Sequence, residues 1–109
     1  MKIAIIGSRG IKNIADIEKY VGYAEEIVSG GAVGTDTCAR KFALEKGLKL
    51  TEFLPEYNLY GRAAPLKRNE QMVEMADEVL VIWDGNSRGA KYTLEYAKKT
   101  GKPITLVRA

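Results

Sequence analysis

The sequence contains no histidine and a single cysteine, Cys38. The first absence removes Ser-His-Asp triads, histidine general acids and imidazole metal ligands in one step. The second excludes an intramolecular disulfide and points to a reducing cytoplasm as the place of action. No apolar run approaches the roughly 18 residues of a membrane span. Met1-Lys2 leads directly into Ile3-Ala4-Ile5-Ile6-Gly7, too short for the apolar region of a signal peptide and of the right length for a strand. There is no basic block either: 17 basic and 14 acidic residues give a net charge of +3, scattered along the chain. That balance permits an anionic ligand without requiring nucleic acid. Linkers, repeats, low-complexity stretches and metal-ligand clusters are all missing. The 109 residues are expected to form one domain, residues 1–109, around a single core.

What is present is a regular alternation of apolar runs and helical patterns. The run Lys2 to Ile6 ends in Gly7-Ser8-Arg9-Gly10, as a buried parallel strand and its loop would. Asn13 opens a helix whose apolar face carries Ile14, Ile17 and Val21. Glu25 to Val28 gives a second strand, and a helix reaching about Lys46 follows, with Ala39, Phe42 and Ala43 inward and Gly47 as its stop. Leu48 to Leu54 is a third strand closed by Pro55. Glu56 to Pro65 is irregular, and a helix resumes near Leu66 with Met72, Val73 and Ala76 at helical spacing. Glu78 to Trp83 is the fourth and most apolar strand, the last helix carries Ala90, Leu94 and Ala97, and Pro103 to Val107 is the fifth strand. The pattern predicts an α/β fold: a three-layer, Rossmann-like parallel sheet of about five strands in the order 3-2-1-4-5.

In such sheets ligands sit beyond the carboxyl ends of the strands, where the strand order reverses. Three glycine-rich loops fall there. They are Gly7-Ser8-Arg9-Gly10, Ser29-Gly30-Gly31-Ala32-Val33-Gly34-Thr35-Asp36 and Asp84-Gly85-Asn86-Ser87-Arg88-Gly89. Glycines at a strand-to-helix turn let the backbone approach a ligand, and the unpaired amides of the first helical turn attract an anion. Arg9 and Arg88 sit in matching Ser-Arg-Gly triplets, and Arg68-Asn69 opens a helix at the same edge. Converging guanidinium groups grip phosphate by paired hydrogen bonds. Ser8 and Ser87 either donate to phosphate or cap helices. Asp36 is placed to accept from ribose hydroxyls or to serve its helix's first turn, while Trp83, Tyr57 and Tyr60 offer ring faces to a base. Cys38, one turn into a helix, reads as a small buried residue.

Known phosphate motifs fit poorly. Gly34 is followed by Thr35-Asp36 with no lysine, which argues against a Walker nucleotidase. The dinucleotide fingerprint fails by one residue, because Ser29 stands where its first glycine would be, and Glu52 is only a weak match to its ribose-binding acid. Taken together, Gly7-Ser8-Arg9, Ser29 to Asp36, Arg68-Asn69 and Ser87-Arg88-Gly89 resemble the SLOG superfamily of Rossmann-like domains. Within it the chain looks most like the small YspA-like proteins, from Ile3 to about Val107. The superfamily includes the LOG-type phosphoribohydrolases and the DNA-processing protein DprA.

The resemblance implies a nucleotide or nucleotide-derivative site formed by Gly7, Ser8, Arg9, Gly30, Gly31, Ala32, Gly34, Thr35, Asp36, Arg68, Asn69, Asp84, Gly85, Ser87, Arg88 and Gly89, and it implies a homodimer. No cofactor beyond that ligand is expected, and the residues themselves offer no metal-ligand cluster and no membrane span. The LOG enzymes carry a glutamate four residues after the last loop glycine, whereas here Gly89 is followed at that distance by Thr93. Glu95 is turned away from that position by about 200° around a helix. Asp36 and Asp84 are then the weak candidates for the carboxylate that glycosidic cleavage needs. The favoured expectation is a sensor or carrier domain for a nucleoside phosphate, ADP-ribose or an NAD-like molecule. Cleavage of an N-glycosidic bond in a nucleoside monophosphate is the second reading. The third is DprA-like binding of single-stranded DNA, suggested by the Ser29–Asp36 pattern and the basic isoelectric point.

Overall fold

The computed structural model describes residues 1–7, 20, 22–30 and 35–108, with backbone alone for 35–38. Five strands are described: β1 (Lys2–Gly7), β2 (Glu26–Ser29), β3 (Lys49–Glu52), β4 (Glu78–Trp83) and β5 (Ile104–Arg108). All neighbours pair in parallel, and the sheet order is β3-β2-β1-β4-β5, as the alternating pattern led us to expect. The described helices are α1 (Thr35–Lys46), α2 (Tyr57–Tyr60), α3 (Ala64–Met75) and α4 (Arg88–Lys99), and a 3₁₀ turn, Gly61–Ala63, joins α2 to α3.

The continuous apolar runs are explained by burial on both faces of the sheet. Successive side chains of a strand point to opposite faces. Ile3 and Ile5 of β1, Ile27 of β2 and Leu80 and Ile82 of β4 therefore meet Ala39, Phe42 and Ala43 of α1 on one face. Ala4, Ile6, Val28, Val79 and Val81 meet Met72 and Val73 of α3 and Ala90, Leu94 and Ala97 of α4 on the other. Gly47 and Gly101 end α1 and α4 with φ of +67° and +76°, a conformation that glycine adopts without steric cost.

Some boundaries differ from expectation. β3 stops at Glu52, and Pro55 has no amide with which to extend the ladder. The segment expected to be irregular contains α2 and the 3₁₀ turn, and α3 opens at Ala64, with Pro65 in its first turn. Proline is preorganised for that place because its missing N–H has no helical partner there. α4 opens at Arg88, so Gly89 lies inside the helix rather than before it. The expected helix from Asn13 to Val21 falls, apart from Tyr20, outside the described residues.

Helices α3 and α4 run side by side in the same direction, and two tyrosine–glutamate pairs four residues apart clamp them. The Tyr92 hydroxyl donates to Glu70 Oε2 at 2.7 Å, and the Tyr96 hydroxyl donates to Glu74 Oε1. A hydrogen bond to a carboxylate favours the neutral phenol, so both tyrosines are pushed up, Tyr96 to about 12. With a folded-state value above the unfolded one, the Tyr96 contribution is complete below the ordinary tyrosine value of about 10 and is lost as pH rises through the folded value. Absorbance titration should show a late-ionising tyrosine that Tyr96→Phe removes. The stability difference between the two proteins should vanish across that same window. A wild-type profile in which all tyrosines ionise near their ordinary value would contradict the clamp.

Candidate functional site

Because every strand runs the same way, Gly7, Ser29, Glu52, Trp83 and Arg108 all end at one edge of the sheet. β2 leaves the sheet there through buried Gly30. The second turn of α3 faces it, since Arg68 lies one turn before Met72 and Asn69 one turn before Val73, extending the inward stripe toward the edge. Arg68 is only 8% exposed. Its NH1 donates to the Gly30 carbonyl at 3.0 Å and its Nε to Asn69 Oδ1 at 2.7 Å. Asn69 Nδ2 then donates to Thr93 Oγ1 at 2.9 Å, and the Thr93 hydroxyl donates to the Gly89 carbonyl one helical turn back, at 2.8 Å. Four hydrogen bonds thus run unbroken from the end of β2, through α3, into the first turn of α4.

This arrangement gives a structural role to two residues expected at the site. Arg68 holds the Gly30 carbonyl, and Asn69 links Arg68 to Thr93. A buried guanidinium needs such partners, because a charge without them is costly in an apolar interior. Thr93 is buried, and both faces of its hydroxyl are engaged.

The loop after β4 is equally organised. Asp84 Oδ1 accepts from the amides of Asn86 and Ser87, each at 2.8 Å, an Asx turn that closes the loop. Asp84 thus holds the turn of this loop. Ser87 caps α4 by accepting from the Ala90 amide at 3.4 Å. Trp83 Nε1 donates to the Ser87 carbonyl at 3.0 Å, and the Arg108 guanidinium lies 5.7 Å from the Trp83 ring centroid. Arg108 also packs on Gly85, whose φ is +90° and where a Cβ would come within 2.2 Å of its NH2. The backbone angle favours glycine at that position, whereas the exposed Arg108 side chain can swing away from a Cβ.

Arg88 stands exposed on the first turn of α4. Gly7 closes β1 beside Ile82. Thr35 and Asp36 begin α1, and their side chains, like that of Cys38, lie outside the described residues, as do Ser8, Arg9, Gly31, Ala32 and Gly34 entirely. Glu52 accepts from Arg40 Nε and NH2 at 3.0 and 2.7 Å and so has a cation of its own. Among the described residues no group of three or more cysteine and acidic side chains is placed to hold a metal, and no helix is long and apolar enough to cross a membrane. Arg108 was missed in the sequence because its place depends on strand order. Once β5 is set beside β4, its register partner is Trp83.

The four-bond path makes a specific prediction about stability. Thr93→Val keeps the shape but strands the Asn69 amide, and should lower the unfolding free energy by about 1–3 kcal/mol. Arg68→Lys and Thr93→Val, whose hydrogen bonds to one another run through Asn69, should show a coupling of about 0.5 kcal/mol or more in a urea double-mutant cycle. Strict additivity would break the path.

The chain superposes on two solved structures of DNA processing protein A. With the Streptococcus pneumoniae protein the TM-score is 0.76 at 21% identity, covering 99% of this chain and 50% of that one. With the Helicobacter pylori protein, whose structure describes its single-stranded DNA binding mode, the TM-score is 0.72 at 22% identity, covering 97% of this chain and 64% of that one. The chain therefore spans half the length of the first and under two thirds of the second. No family model matches the chain, and no curated protein sequence does. What these structures share with this chain is the fold, a five-stranded parallel α/β sheet of the Rossmann type.

Proposed function

We propose that this chain binds single-stranded DNA along the carboxyl edge of its sheet, with phosphates held at the glycine turns and by exposed arginines. The observation that carries the reading is the pair of exposed arginines at that edge. Its described carboxylates are engaged, Asp84 by two loop amides and Glu52 by Arg40. Arg88, at the start of α4, and Arg108, beside Gly85, meanwhile stand exposed. Exposed guanidinium groups beside a preorganised turn attract phosphate oxygens. The fold shared with two DNA processing A proteins, one of them described binding single-stranded DNA, supports the same reading. So do the motifs that resemble the SLOG superfamily and its YspA-like members. In this proposal Gly7-Ser8-Arg9 and Gly30–Asp36 supply further contacts, and the protein works in the reducing cytoplasm suggested by its lone cysteine.

A second reading keeps the same edge but a smaller ligand: a nucleoside phosphate, ADP-ribose or an NAD-like molecule, bound by a sensor or carrier. The observation favouring it is the Arg68–Gly30 bond, which brings a buried guanidinium to the end of β2. Glycosidic cleavage is the weakest proposal. Thr93 occupies the position of the LOG glutamate and is already hydrogen-bonded, and Asp84 is held in its turn.

Fluorescence anisotropy with a labelled oligothymidine separates these readings. Affinity should fall steeply with salt, with a log–log slope of about −0.7 per phosphate contact. Arg88→Gln combined with Arg108→Gln should reduce the slope magnitude by about 1.4 while leaving the protein folded. Salt-insensitive or absent binding to the strand, accompanied by thermal stabilisation with one mononucleotide, would transfer the assignment to the second reading.

A further inference from the structure

The segment after β3 is hard to explain as ordinary packing. The Phe53 amide donates to the Ser29 carbonyl at 2.8 Å, so the chain leaves the sheet directly beside the Gly30 turn. Beyond it Leu54, Tyr57 and Leu59 are each more than half exposed and Tyr60 is 37% exposed. Helix α2 buries none of its residues. Its single turn is nevertheless preformed: the amides of Leu59 and Tyr60 both donate to the Glu56 carbonyl at 3.0 Å, and the Gly61 amide donates to Tyr57 O. Tyr57 and Tyr60, three residues apart, share one side of that turn. A shallow cavity of about 350 Å³ runs along Pro55 to Leu59. Exposed Arg62 follows immediately.

Four large apolar side chains exposed within seven residues mark a surface that is covered in use. Its position decides by what. It continues the carboxyl edge outward from the Gly30 turn, and it pairs ring faces with a neighbouring guanidinium, the combination that binds unpaired bases and their phosphates. We infer that Tyr57 and Tyr60 form a base-stacking subsite for a nucleotide of a single strand whose backbone crosses the Gly30 turn. Asn58 is the amide available to a base edge, and Arg62 the cation available to the adjoining phosphate. The subsite rests on the single-strand reading proposed above and extends it from phosphate contacts to the bases.

The test compares a labelled oligothymidine with an abasic strand of the same length, which carries the same charge and no bases. Tyr57→Ala and Tyr60→Ala should each weaken oligothymidine binding about tenfold. Both should leave the abasic strand unaffected, and Tyr57→Phe should restore wild-type binding. Equal loss on both strands, or no loss on either, would overturn the subsite while the single-strand reading stands. Failure of the wild-type protein to bind either strand would overturn both. Sedimentation velocity checks the other occupant: a drop in oligomeric state in Tyr57→Ala would show that a second copy covers this surface, and would overturn the subsite as well.

Discussion

The Arg68 guanidinium is a charge inside the fold, and the surroundings of the carboxyl edge follow from having to satisfy it. An isolated buried cation is strongly unfavourable, whereas hydrogen bonds to a charged group are worth about 1.5–3 kcal/mol each. Arg68 meets that requirement with the Gly30 carbonyl and the Asn69 amide oxygen. Fixing Asn69 in this orientation turns its nitrogen toward Thr93, and Thr93 in turn bonds the first turn of α4. One buried charge therefore ties the end of β2, the start of α3 and the start of α4 to one another. The tyrosine–glutamate pairs farther along α3 and α4 hold the same two helices in register.

The fold was readable because it depends on patterns that need no partner to be seen. Continuous apolar runs in β1 and β4 announce strands buried on both faces, and the glycines after α1 and α4 mark where those helices stop. The site was readable only in part, for an equally physical reason. An arginine near a helix start looks the same in sequence whether it is solvated or buried. The signal was one turn away, in Met72 and Val73, which place Arg68 and Asn69 on the inward stripe. Asp84-Gly85-Asn86-Ser87 carries the composition of an Asx turn, so the loop role of Asp84 was also open to inference from local chemistry. Arg108 was not, because its neighbours Trp83 and Gly85 come to it only through strand pairing.

The same details shift the functional balance. A chain expected first to hold a small nucleotide derivative has the fold of two DNA processing A proteins over nearly its whole length. At this edge the loop carboxylate sustains a turn, and Thr93, four residues after Gly89, accepts from Asn69 and donates to the Gly89 carbonyl. The exposed chemistry is cationic at Arg88 and Arg108 and aromatic at Tyr57 and Tyr60. These are properties suited to a flexible strand of phosphates and bases.

Amide chemical-shift mapping during titration with a short oligothymidine tests the central claim most directly. The account predicts shifts at Gly30, Tyr57, Gly85 and Arg88, along the carboxyl edge. It predicts none at Lys2, Glu26, Asp77 and Lys102, where the strands begin. Shifts concentrated at that opposite edge, or no shifts at a large excess of strand, would contradict it.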